Sequence, residues 1–174
     1  MKEINHKYNY RPAILSDLSQ LRSLGLVSYG TFRNIITNET WKQWGKTFTK
    51  ENLTQLLNKG KCFVCEYEDQ IIGMAFLIPH GNPTEIFHND WSYLRLVSVL
   101  PNFEGKGIGK QLTRICIEYA IETGERIIAL HTSEFQDAAR HIYENMGFVK
   151  VNEFEIANKK YWVFHLKLIN TNEK

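Results

Sequence analysis

The sequence predicts an α/β (α+β) fold: a mixed, mostly antiparallel seven-stranded sheet with helices on both faces. Three observations predict it. Two pairs of apolar runs are joined by tight polar turns, "EDQ" after Tyr67 and "ANKK" after Ile156, and read as hairpins. Two further strand runs are each followed by an amphipathic helix and another strand, which gives strand–helix–strand crossovers. The remaining N-terminal segments carry helical periodicity.

Taken in order, "YNYRPAI" is a short first strand with Pro12 near its end. "SDLSQLRSLGLVSYGTF" follows as a helix, with Ser16 or Asp17 as N-cap and Leu18, Leu21 and Leu24 or Gly25 as its stripe. "TNETWKQWGKTFTKENLTQLLNKGK" reads as one or two helices ending at Gly60. The first hairpin occupies "KCFVCEYEDQIIGMAFLIP", and a polar loop leads to the strand "WSYLRLVSVLP". Gly107 to Glu122 is a helix, since Ile108, Leu112, Ile115 and Tyr119 recur at spacings of four, three and four. "RIIALHT" is a strand, "QDAARHIYENMGF" a helix closed by Gly147, and "FVKVNEFEI" with "KKYWVFHLKL" the last hairpin. Residues 1–170 are expected to form one domain and 171–174 a flexible tail.

Composition excludes several classes. A share of 43% hydrophobic and 23% charged residues is that of an ordinary globular chain. A formal net charge of +2 is too slight to recruit nucleic acid or an anionic membrane. No apolar run approaches the ~20 residues of a spanning helix, and "MKEINHKYNY" lacks the apolar core of a signal peptide. The odd cysteine count (Cys62, Cys65 and Cys116) argues for a reducing, cytoplasmic setting. "CFVC" invites a zinc or redox reading. On a strand, however, residues three apart point to opposite faces, and no second Cys/His pair stands at ligand spacing, so no metal is expected.

The chemistry concentrates in "VSVLPNFEGKGIGKQL", Val97 to Leu112. A P-loop needs four residues between its first glycine and a Gly-Lys-Ser/Thr run. Only three separate Gly105 from Gly109, and Gln111 follows Lys110. A dinucleotide loop needs a third glycine where Lys110 stands. What remains is a strand, a proline, and a glycine-rich turn opening a helix. Glycines admit the backbone close to an anion, free N–H groups point outward at the helix start, and the helix dipole adds positive potential. Lys106 and Lys110 add charge, whereas Glu104 at the mouth opposes it.

The element order, this loop and the later "IYENMGF" together resemble the GCN5-related N-acetyltransferase (GNAT) family. The family's phosphate loop, [Gln or Arg]-x-x-Gly-x-[Gly or Ala], falls on Glu104 to Gly109 and departs at Glu104. Tyr-x-x-x-Gly-Phe falls on Tyr143, Gly147 and Phe148. The resemblance implies acetyl-CoA as cosubstrate and a primary amine of a small molecule, peptide or protein as acceptor, and it admits a homodimer. It implies a splay between the fourth and fifth strands. The backbone of Gly105, Lys106, Gly107, Ile108, Gly109 and Lys110 would then hold the pyrophosphate, and Val97 and Val99 would face the pantetheine arm, with the Val99 N–H near the thioester oxygen.

By position, Tyr143 is the general acid, and Gln136 replaces the family's cofactor-contacting Asn. Thr132 and Ser133 stand ready beside it. No motif marks the base. Glu66 is the candidate, with Glu68, Asp90 and His131 as alternatives. Substrate recognition in the family comes from regions that here hold Tyr29, Phe32, Trp41, Trp44, His88, Trp91 and Trp162, aromatics suited with nearby acids to a cationic amine. Two other functions fit parts of the pattern. One is a non-catalytic acyl-CoA-binding sensor; the other is a nucleotide-binding protein, against which the failed spacings speak.

Overall fold

The structure is a computed structural model and describes residues 8–169. The strands are β1 (Asn9–Pro12), β2 (Lys61–Tyr67), β3 (Gln70–Ile78), β4 (Ser92–Val99), β5 (Ile127–Ser133), β6 (Val149–Ile156) and β7 (Lys159–Lys167). They form one seven-stranded sheet in the order β1-β2-β3-β4-β5-β7-β6. Every neighbouring pair is antiparallel except β4 and β5, which run parallel. The helices are α1 (Leu18–Gly30), α2 (Asn38–Thr47), α3 (Lys50–Lys59), α4 (Ile108–Glu122) and α5 (Asp137–Asn145). The expected tail, residues 171–174, lies outside the described residues.

Local chemistry accounts for the boundaries. Both hairpin turns place two consecutive residues in the left-handed region, Glu68 and Asp69 (φ 49° and 61°) and Ala157 and Asn158 (φ 50° and 61°). That is the turn whose twist matches paired strands. The long helical segment before Gly60 is two helices because Thr37 and Thr49 each cap one, accepting the N–H of Thr40 and Asn52. Asp17 precedes α1 as expected but does not cap it. Its carboxylate instead accepts from both terminal nitrogens of Arg11 and from the Ile14 N–H.

Helices cover both faces of the sheet. On one, Leu21, Leu24, Phe48 and Leu53 pack on Val64, Ile71, Met74, Phe76 and Leu96. On the other, Ile108, Leu112, Cys116, Ala120 and Tyr143 pack on Cys65, Ile72, Ala75, Leu94, Ile128 and Leu130. Each fully buried large side chain contributes about 1.5–3 kcal/mol relative to exposure. Gly25 makes the first face possible, since a Cβ there would fall 2.1 Å from the Phe48 ring. Cys62 and Cys65 enter opposite clusters, as strand alternation demands. They and Cys116 are buried free thiols, with pKa values pushed up by burial.

Two irregularities shape the centre. β4 and β5 pair only at Ser92↔Ile128 and Tyr93↔Ala129, then part. This is the expected splay, and it leaves a wedge in the sheet. β4 also bulges: Gly73, Met74 and Phe76 oppose Val99, Ser98 and Arg95, so β4 spends one extra residue there, and Leu96 has a φ of 52°. The bulge shifts the alternation, so Arg95 lies on the α1 face, opposite Phe76, while Val97 and Val99 pack toward α4.

Candidate active site

A cleft of about 540 Å³ passes through the wedge. Its walls come from both faces of the sheet: Ser28, Tyr29, Thr31 and Phe32 from α1 and the turn after it, Val97 to Val99 from β4, the Glu104–Lys110 turn, and Phe135 to Tyr143 at α5. The edge of β4 is open there. The Leu100 N–H donates to Ile72 of β3, so alternation turns the backbone groups of Val99, and of Val97 two residues earlier, away from β3 and into the wedge.

The glycine turn is built for an anion. Gly105 and Gly107 hold φ of 70° and 80°, and a Cβ at either would meet nothing within 4 Å. Gly107 precedes α4 with no side-chain cap, and the first helical bond is from the Gln111 N–H to its carbonyl. The N–H groups of Ile108, Gly109 and Lys110 are therefore left for a ligand. The Ile108 side chain is buried in the core, so only its backbone serves the cleft. Lys110 lines the cleft and Lys106 does not. Glu104 lines it as well, exposed at the mouth. A pyrophosphate fits this set of donors, with one carboxylate standing against it.

Tyr143 faces the cleft from α5, only 6% exposed, with the Phe148 ring edge-on at 5.8 Å. Burial, then the neighbouring Tyr29, holds its pKa above the ordinary 10.0, so the phenol keeps its proton at neutral pH. Gln136 also lines the cleft, but its carbonyl is committed inward. It accepts from the Ser133 N–H at 3.1 Å and the Ser133 Oγ at 2.8 Å, which ties the β5–α5 turn. Thr132 and Ser133 are buried beneath it.

The structure separates the four base candidates. Glu66 lies on β2 opposite Asn9 of the edge strand β1, where it accepts from Arg11 and Asn9. Those partners hold its pKa below the ordinary 4.5, and it does not line the cleft. Glu68 is in the first hairpin turn and Asp90 is exposed before β4. His131 is on β5, opposite Val163 and on the same face as Tyr93 and Ala129. Its ring lies 6.1 Å from Phe87 and 6.4 Å from Tyr161, and it keeps an accessible face. Desolvation first, then the Arg95 cation, lowers its pKa below the ordinary 6.5, a shift that its exposed surface moderates.

The aromatics divide likewise. Tyr29 meets Trp44 edge-on at 5.0 Å, and Phe32 lies 5.3 Å from Phe135, so these four rings form one wall. Trp41 stacks under Arg33, Trp91 meets His88 and His165, and Trp162 is covered by Arg140 and Lys150. Sequence reasoning passed over Arg95, Phe135 and Tyr161. Arg95 had a signal: it is the one charged residue in the central run "SYLRLVSV".

The model of the acetyltransferase (GNAT) family matches residues 32–148, well over half of the chain. The chain belongs to the GNAT acetyltransferase family. Among curated relatives, human N-acetyltransferase 8B is 31% identical over 101 residues, covering 54% of this chain and 41% of the relative. Zebrafish N-acetylaspartate synthetase is 33% identical over 97 residues, covering 55% and 32%. The chain thus spans about half or less of the length of the curated relatives it matches. The GNAT fold recurs in PaiA N-acetyltransferase from Thermoplasma acidophilum, solved with coenzyme A. The TM-score is 0.75 at 17% identity, over 92% of this chain and 98% of that one. It recurs also in the ribosomal-protein-S18-alanine N-acetyltransferase of Escherichia coli, with a TM-score of 0.70 at 12% identity over 92% and 94%. No helix among the described residues is long and apolar enough to cross a membrane.

Proposed function

We propose that this chain is an acetyl-CoA-dependent N-acetyltransferase acting on a primary amine of a small molecule or peptide. What carries the reading is one coincidence: the open edge of β4, the uncapped glycine turn and the Tyr143 phenol line a single cleft. The names of the relatives, N-acetyltransferases, support an amine as acceptor. Acetyl-CoA supplies a thioester whose acetyl group is transferred and whose sulfur leaves.

The chain's own groups then have defined tasks. The N–H groups at the start of α4 bind the pyrophosphate, with Lys110 adding charge and Lys106 acting only at longer range. The β4 edge orients the pantetheine arm, and the Val99 N–H stabilises charge growing on the carbonyl oxygen. The amine nitrogen forms the new C–N bond as the C–S bond breaks. Tyr143 gives its proton to the departing sulfur and regains one from solvent. The acceptor enters as an ammonium of pKa ~10 and must shed a proton. None of the four base candidates lines the cleft, so that proton passes to water. Glu66, bound by Arg11, is left to structure. Gln136 acts as a positioning residue, fixing the turn that presents α5.

The test is release of CoA thiol from acetyl-CoA over a panel of polyamines, amino acids, aminoglycosides and peptide N-termini. Release with at least one class, falling ~10²-fold or more in Tyr143→Phe while acetyl-CoA still binds, supports the reading. Tight acetyl-CoA binding without release from any amine would overturn it in favour of an acyl-CoA sensor.

A further inference from the structure

Beside the wedge, on the α1 face of β4 and just outside the residues that line the cleft, stands a cation with no protein counter-ion. Arg95 is half-buried in the middle of the sheet. Opposite Phe76 it points to the α1 face, directly before the bulge that turns Val97 toward the cleft. The carboxylates that pair with cations elsewhere are engaged by Arg11, His80, Arg140 and Lys150. Among the described residues, Arg95 makes no ion pair and no side-chain hydrogen bond.

Its surroundings are aromatic and hydroxyl-bearing. Its charge reaches Tyr29 and Tyr93, where it counters the upward pull of burial, and it lowers His131 further. Tyr29 lines the cleft and neighbours Tyr143 electrostatically. Tyr161 lies 6.1 Å from Phe135, another lining ring, and 6.4 Å from His131. The groups set around Arg95 are therefore Tyr29, Tyr93, His131 and, through Tyr29, Tyr161. None is an acid. The carboxylate that reaches this group is Glu134, which acts on Tyr161 and accepts from the Lys160 N–H.

A partly dehydrated guanidinium without an anion is costly, and its planar fork of five donors matches a carboxylate in two parallel bonds. We propose that the acceptor is an amine that also carries a carboxylate, as an amino acid does, with Arg95 holding that carboxylate while the amine faces Tyr143. This rests on the acetyltransferase reading and narrows its substrate. The reaction is unchanged: the acceptor nitrogen gains the acetyl group, CoA leaves as the thiol, and one proton goes to solvent. The carboxylate is a handle and is not consumed.

Matched pairs test it: phenylalanine against phenethylamine, 4-aminobutyrate against its methyl ester, and phosphoethanolamine as the phosphate counterpart. Thiol release is measured for each with acetyl-CoA saturating. The expected result is that kcat/KM for the carboxylated member of at least one pair exceeds that of its twin by on the order of 10²-fold, carried by KM. In Arg95→Gln this ratio falls to about one, and in Arg95→Lys to an intermediate value, because a point charge replaces the fork. The wild-type ratio needs no variant to fold. Preference for amines without a carboxylate, or for phosphoethanolamine, overturns the proposal and leaves the acetyltransferase reading intact. So does an unchanged ratio in a folded Arg95→Gln protein. No release from any amine overturns both.

Discussion

Two arginines on the same sheet have opposite fates. At the edge, Arg11 of β1 is saturated: its nitrogens reach both carboxylate oxygens of Asp17 and one of Glu66, and Asp17 in turn holds the Ile14 N–H. At the centre, Arg95 of β4 borders the wedge without an anion. The first cation closes a network, and its removal strands a side chain of Asp17 that is only 7% exposed. The second keeps its donors free. The first charge serves folding; the second, half-buried and unpaired, is the one we assign to a ligand.

The largest test of this contrast is at the wedge. Tyr143→Phe removes a proton donor and nothing from the edge network, so kcat should fall ~10²–10³-fold with the melting temperature nearly unchanged. A matching loss of stability would make Tyr143 a core residue first. The next test sets the arginines against each other in urea unfolding. Arg11→Met should cost about 3 kcal/mol, since it leaves a buried carboxylate without its cation. Arg95→Met should cost less than about 0.5 kcal/mol or add stability. Equal losses would erase the distinction.

Smaller effects follow. Glu104→Arg replaces the carboxylate at the mouth of the phosphate cradle, so acetyl-CoA affinity should rise a few-fold at low salt and less at high salt. Unchanged or weaker binding means that Glu104 anchors the turn. Last, the two regions should respond to acid in separate windows. His131, lowered below its ordinary 6.5, takes a proton less readily than it does in the unfolded chain, so stability should decline as pH falls below about 6.5. Its accessible face keeps that slope shallow. Asp17 and Glu66 lie below their ordinary 3.8 and 4.5, so their contribution is full above those values and is lost below them. His131→Gln should flatten only the first decline, and Arg11→Met only the second, in denaturant titrations at stepped pH.

Much of the fold was legible because it is local. Hairpin turns and the three–four spacing of Ile108 to Tyr119 are written in neighbouring residues. The glycine turn and "YENMGF" were readable for the same reason, and their meeting in one cleft followed from the resemblance. The misread parts depend on distant partners. Asp17 has the chemistry of an N-cap, yet Arg11, six residues earlier, claims it. Glu66 ends a strand near the expected site, but its fate is set by β1 pairing. Arg95 escaped notice because a bulge, invisible to simple alternation, decides which face it takes.

The wedge has a mechanical consequence. Two pairs of residues join β4 to β5, so the sheet is two plates, β1–β4 and β5–β7, on a short hinge. Helix α4 braces the first plate and α5 rides on the second. A ligand arm that bonds along β4 and meets α5 would act as a splint across the joint. The loaded protein would then be stiffer than the empty one, and its thermal and pulling resistance would report occupancy before any acceptor arrives.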